Sequence, residues 1–112
     1  AAGGAVHLRG GSVEAVAHAA AMALKNLLGL VCDSVAGLVE VPCVKRNVSG
    51  AVVALSAADM ALAGVRSRIP PDEVIDAMRE VGISMPACLR ETGEGGLAAT
   101  PEGIKMRDRI MD

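Results

Sequence analysis

A chain of 112 residues without a single phenylalanine, tyrosine or tryptophan must build its interior from small side chains. Aromatic rings bring the largest buried area per residue; without them, alanine, valine, leucine and methionine have to fill the core. Small residues let helix backbones approach closely, and helices of that kind commonly pack against something further. The length allows one domain with one modest core.

Charge removes several function classes. A net charge of −2 and a pI near 5.6 give no basic footprint, and no aromatic platform exists on which bases could stack, so nucleic acid is not an expected partner. The apolar run 15–31 is interrupted by His18, Lys25 and Asn26, so no membrane span is expected. There is no charged-then-apolar leader pattern at the start, so secretion is not indicated. The opening Ala-Ala-Gly-Gly, with no initiator methionine, suggests a piece of something longer. Three cysteines, an odd number, point to a reducing compartment, the cytoplasm.

Helical periodicity dominates the rest. Residues 1–11, with four glycines, read as the remnant of an element ending in a Gly10-Gly11 turn. Ser12 is placed to cap a helix running to about Leu28, with Val13, Val16, Ala17, Ala20, Leu24 and Leu27 recurring at helical spacing. His18 shares a polar face with Glu14 and Lys25, which makes it a solvated or edge residue rather than a ligand. A helix is expected over 45–64, apolar nearly all round and therefore buried on several sides, with Asp59 capping, pairing or reaching the surface. Ile69-Pro70-Pro71-Asp72-Glu73 starts a helix carrying the stripe Val74, Ile75, Met78 and Val81, closed by Gly82. A short helix over 87–92 follows, then a Gly93-Glu94-Gly95-Gly96 turn, which has neither the strand–loop–helix setting nor the Lys-Ser/Thr ending of a phosphate loop. Thr100-Pro101-Glu102 opens the last helix. The methionines fall on apolar stripes, as gap-fillers of a core without aromatics. The expected fold is all-α, a single compact domain of about five helices with an irregular cysteine-bearing loop.

That loop, 29–44, is where chemistry could be built. Cys32 and Cys43, ten residues apart, are not spaced like paired zinc-finger ligands. On local pattern alone they are either inert buried cysteines or a thiolate site for a soft metal. Lys45 and Arg46 follow Cys43, and cations there would lower a nearby thiol's pKa and could hold an anion such as a carboxylate. Alternatively they are a surface pair at a helix start. Cys88, with nothing ionising beside it in sequence, reads as a packing residue.

The same residues carry a resemblance. Ala17-His-Ala-Ala-Ala-Met-Ala-Leu-Lys-Asn-Leu-Leu-Gly-Leu-Val-Cys-Asp33 and Val35-Ala-Gly-Leu-Val-Glu-Val-Pro-Cys-Val-Lys-Arg-Asn47 closely resemble the alpha region of bacterial iron–sulfur L-serine dehydratase, the two-chain type. So do Ala57-Ala-Asp-Met-Ala-Leu-Ala-Gly64, Ile69-Pro-Pro-Asp-Glu-Val-Ile-Asp-Ala-Met78 and Gly95-Gly-Leu-Ala-Ala-Thr-Pro101. These runs, in order and at the right spacing, cover most of the chain from Ala17 onward.

The resemblance implies that residues 1–112 are the C-terminal part of the catalytic, cluster-binding alpha domain. It implies a 4Fe-4S cluster held by three cysteines, two of them Cys32 and Cys43, the third lying upstream of this chain. One iron, left without a protein ligand, would act as a Lewis acid on the serine hydroxyl while a base, not identified by the resemblance, takes the α-proton; pyruvate and ammonia result. Arg46 and Asn47, next to Cys43, are expected to be cluster-proximal or substrate-contacting. L-serine, a beta chain or beta domain, and an oligomer are the expected partners.

The sequence departs from the family at Ser34, normally proline; at Val48-Ser49, normally Ala-Ile; and at Cys88, where relatives carry a small non-ligand residue. The Ser-Ser-Ser-His-Thr stretch of the beta region does not occur. Alone, these 112 residues are expected to bind a cluster poorly and to be catalytically silent. Two alternatives remain: a related iron–sulfur lyase that removes sulfide from cysteine, and a helical assembly module without chemistry.

Overall fold

The computed structural model describes all 112 residues. The fold is all-α, with five α-helices: α1 (Ala2–Leu8), α2 (Val13–Lys25), α3 (Cys43–Leu62), α4 (Pro71–Ser84) and α5 (Pro101–Met111). No helix is long and apolar enough to cross a membrane. The backbone groups into two compact units, the first comprising Ala1–Leu28 and Ser49–Val81, the second Gly29–Val48 and Gly82–Asp112.

The first unit is an alanine core. Ala2, Val6, Ala19, Met22, Ala54, Ala57, Ala58 and Ala61 form one buried cluster, with Ala15, Val16 and Leu62 packed against it. Helices can close on such short side chains only where the turns also lack bulk. At Gly11 a Cβ would lie 2.3 Å from Val6 Cγ1 and 3.0 Å from Leu62 Cδ2, so a side chain there would force the core apart. The residues expected to be a severed remnant form a complete short helix, α1. Its end is stapled by Gly11 N–H donating to Val6 O and Gly10 N–H to His7 O, with Gly10 at φ +78°. α3 ends in the same way: Val65 N–H donates to Met60 O and Gly64 N–H to Ala61 O, with Gly64 at φ +87°.

Ser12 caps α2 as expected, accepting from Ala15 N–H at 3.1 Å, but the helix stops at Lys25, ahead of Leu28. α3 is not buried on several sides. Its alanines at 54, 57, 58 and 61 face the core, while Val52 and Leu55 are 60% and 59% exposed, because within this chain nothing covers that side. Asp59 pairs with Arg9 at the surface. On α4 the expected stripe narrows to Val74, which is buried, and Met78, which is half-buried, while Ile75 is half exposed, and the helix runs through Gly82 to Ser84. His18 is a part-buried edge residue whose Nδ1 accepts from Ser67 N–H at 3.2 Å, which leaves Nε2 to carry the proton of the neutral ring.

The second unit holds the irregular backbone. The loop 29–42 contains a single 3-10 turn, Val35–Gly37, with Ala36 and Gly37 both at positive φ (53° and 71°). Val35 is buried, its N–H donating to Val41 O across the loop. The Val41–Pro42 bond is cis. α5 packs on this turn and on a second one, Gly96–Ala99. Thr100 caps α5 by accepting from Gly103 N–H, and it donates to Leu97 O at 2.7 Å. Gly103 has to be glycine, since a Cβ would sit 2.4 Å from Leu97 O. The expected helix over 87–92 shrinks to a 3-10 turn, Ala87–Leu89, because the chain then leaves the turn to pair with the cysteine loop.

Candidate functional site: the paired thiols of the second unit

Cys32, Cys43, Arg46 and Asn47 all lie in the second unit, as does Cys88. The three cysteines are free and half-buried. Cys32 is fixed by a short parallel bridge to Arg90: its N–H donates to Leu89 O at 2.9 Å and its carbonyl accepts from Glu91 N–H at 2.8 Å. Cys43 is the first residue of α3. The irregular loop brings the two sulfurs near enough that a charge on Cys43 acts on Cys32. Cys88 lies in the Ala87–Leu89 turn against Gly95, where a Cβ would come within 2.7 Å of the Cys88 carbonyl oxygen.

The thiol of Cys32 is pushed above its ordinary pKa, first by burial, then by the negative charges of Glu91, Cys43 and Asp33; Arg46 pulls the other way and is outweighed. Arg46 thus acts in the direction expected of a neighbouring cation, but the net effect at Cys32 is the opposite. A bound metal would reverse that balance, since metal coordination takes the thiolate form.

Arg46 is committed within the protein. Its Nη1 donates to Val31 O at 2.9 Å and to Asp33 Oδ1 at 2.5 Å, gripping the residues on either side of Cys32. Asn47 Nδ2 donates to the Cys43 carbonyl at 3.0 Å, one helical turn back.

Asp33 was given no role by sequence reasoning, yet it organises this unit. It is 2% exposed and accepts from Arg46 and, through Oδ2, from Leu97 N–H at 2.7 Å. Burial alone would raise its pKa, but the Leu97 hydrogen bond together with the bond to and charge of Arg46 outweigh it, and the carboxyl sits below its usual range. The approach is tight enough to dictate Gly96, at φ +58°, where a Cβ would fall 2.3 Å from Asp33 Oδ2. Gly95-Gly96 is therefore not a loose turn: Gly96 receives the carboxylate and Gly95 packs on Cys88. The signal in the sequence was the adjacent glycine pair directly before an apolar turn; nothing in it pointed to the partner 64 residues away.

Beside Cys32 lies a cavity of about 310 Å³ lined by Leu30, Cys32, Gly82, Met85, Leu89, Arg90 and Glu91. Glu91 holds a left-handed backbone, φ 65°, uncommon for a residue with a side chain.

No group of three or more His, Cys, Asp or Glu side chains is gathered in metal-binding geometry. What the chain offers is a pair of soft sulfur donors on a braced loop, which suits part of the thiolate set of an iron–sulfur cluster.

Comparison with known proteins agrees with the motifs. The family described as "Serine dehydratase alpha chain" matches residues 1–98. A Bacillus subtilis protein named "Probable L-serine dehydratase, alpha chain" is 64% identical over 106 residues, covering 95% of this chain and 35% of that protein. Its namesake in Latilactobacillus sakei is 63% identical over 107 residues, 96% of this chain and 51% of that one. The "L-serine dehydratase, alpha chain" of Peptoniphilus asaccharolyticus is 56% identical over 102 residues, 91% of this chain and 35% of that one. The chain thus spans between about a third and a half of the length of these relatives. A match along nearly the whole chain, on the residues that build the thiol loop and its braces, places this protein in the serine dehydratase alpha chain family.

Proposed function

We propose that these residues are part of an iron–sulfur L-serine ammonia-lyase that converts L-serine to pyruvate and ammonia, working with a beta chain or beta domain in the cytoplasm and as an oligomer. The observation that carries the reading is the pair of half-buried thiols, Cys32 and Cys43, at the two ends of one braced segment and within electrostatic range of each other.

Cys32 and Cys43 would hold a 4Fe-4S cluster, with a third thiolate from outside these residues. When bound, the cluster would supply a Lewis-acidic iron for the departing hydroxyl of the substrate. The residues of this chain contribute position. Arg46 and Asn47 are the cluster-proximal residues: Arg46 fixes Val31 and Asp33 around Cys32, and Asn47 fixes the Cys43 carbonyl, so that both sulfurs are presented from a rigid base. The donors of Arg46 and Asn47 not used in those bonds could meet an anionic substrate group.

The test is made on the full-length protein purified without oxygen. Cys32→Ser and Cys43→Ser should each abolish the brown iron–sulfur absorption and serine turnover, and the wild type should show both. Full turnover in either variant would instead favour a helical assembly role. Competition between serine and cysteine as substrates decides between dehydration and sulfide elimination.

A further inference from the structure

We infer that the cavity beside Cys32 is a subsite for an amino-acid zwitterion, in which the Glu91 carboxylate receives the substrate ammonium and the Arg90 guanidinium its carboxylate. The inference rests on the lyase reading above and adds the residues that would recognise the substrate.

Arg90 and Glu91 stand on the wall of one cavity of about 310 Å³ whose remaining lining includes Cys32 and the apolar Leu30, Met85 and Leu89. Neither charged side chain has an ion-pair partner in the chain. Two opposite charges left unpaired on one small cavity match a ligand that itself carries both. A purely anionic or purely cationic ligand would leave one of them facing its own sign.

The backbone supports the same conclusion. The Cys32–Arg90 bridge ties both residues to the cysteine loop, and Glu91 adopts its left-handed conformation at the point where its N–H is held by the Cys32 carbonyl. Glycine would occupy that conformation without strain. A glutamate there retains strain for the sake of its side chain, a pattern that belongs with binding sites. Glu91 is also close enough to act electrostatically on Cys32, so an ammonium held by it would put the rest of a three-carbon amino acid near the sulfur.

The experiment uses the full-length protein, purified anaerobically, with Arg90→Gln, Glu91→Gln and Glu91→Gly. Glu91→Gly serves as the second variant because it cannot be strained at this φ. Calorimetry is done with ethanolamine, which has the ammonium and lacks the carboxylate, and with glycerate, which has the reverse. Charge-assisted hydrogen bonds of this kind are worth about tenfold or more in affinity.

Both Glu91 variants should weaken ethanolamine about tenfold and leave glycerate within about twofold, while Arg90→Gln should do the opposite. In turnover, each variant should raise KM for serine by a similar factor with kcat and cluster absorption little changed. Equal weakening of both probes in every variant, or no change in either, overturns the subsite. Absence of cluster and turnover in the wild type would sink the lyase reading instead, and the calorimetric comparison, which needs no turnover, still decides the charge assignment.

Discussion

The two units of this protein are held together by opposite means. In the first, alanines and one methionine close on each other around Val6, and close approach is made possible by what is missing, as at Gly11. In the second, few large apolar groups are buried and a carboxylate, Asp33, ties together the cysteine loop, the start of α3 and the turn before α5. Dispersion and water exclusion are non-directional, so an alanine core sets distances between helices but does not aim side chains. Hydrogen bonds to a buried charge are directional and costly to lose, which fixes irregular backbone in one arrangement. The thiols lie in the unit built by the second method.

That contrast can be broken from either side. The largest effect is expected from adding volume to the first unit: Ala57→Leu, at a fully buried position, should destabilise by about 3 kcal/mol in urea unfolding. The matching change in the second unit adds no volume. Asp33→Asn removes the charge that Arg46 faces and should cost about 2 kcal/mol, with Cys32 more reactive toward thiol reagents in the native protein. An unchanged thiol rate in that variant would mean the carboxylate does not hold the loop.

The same residue predicts an acid limb. Its pKa is lower in the folded chain than in the unfolded one, so its contribution is fully present above the unfolded value, about 3.9, and is lost as pH falls through the folded one. Stability of the wild type should therefore fall on acidification more steeply than that of Asp33→Asn, measured by thermal unfolding between neutral and strongly acid pH. Smaller again is Thr100→Ala, which removes the α5 cap and should cost about 1 kcal/mol. Smallest is Asp59→Ala, which breaks an exposed pair with Arg9 and should change stability by less than about 0.5 kcal/mol.

The legibility of the sequence follows the same division. Caps and periodicity identified α2, α3, α4 and α5 to within a few residues, because Ser12, Gly64, Pro71 and Thr100 act locally. α1 was missed because its glycines obscured a helix whose stability comes from packing on α2. Burial around α3 was overestimated, since periodicity shows that residues are apolar and not whether anything in the chain covers them. In the second unit the cysteines and Arg46 stood out as residue types, and the family motifs marked the region. Asp33 and Gly96 did not, because their roles depend on partners distant in sequence, and the left-handed backbone of Glu91 is an angle that no local pattern reports.

Arg46 grips Val31 and Asp33 from a position three residues after Cys43, on the same first turn of α3. Any tilt of that turn is therefore transmitted to both neighbours of Cys32, and the backbone that carries Cys32 moves with the backbone that carries Cys43. The entropy of ordering the intervening loop has already been lost in folding, so nothing that binds there has to supply it at the moment of capture.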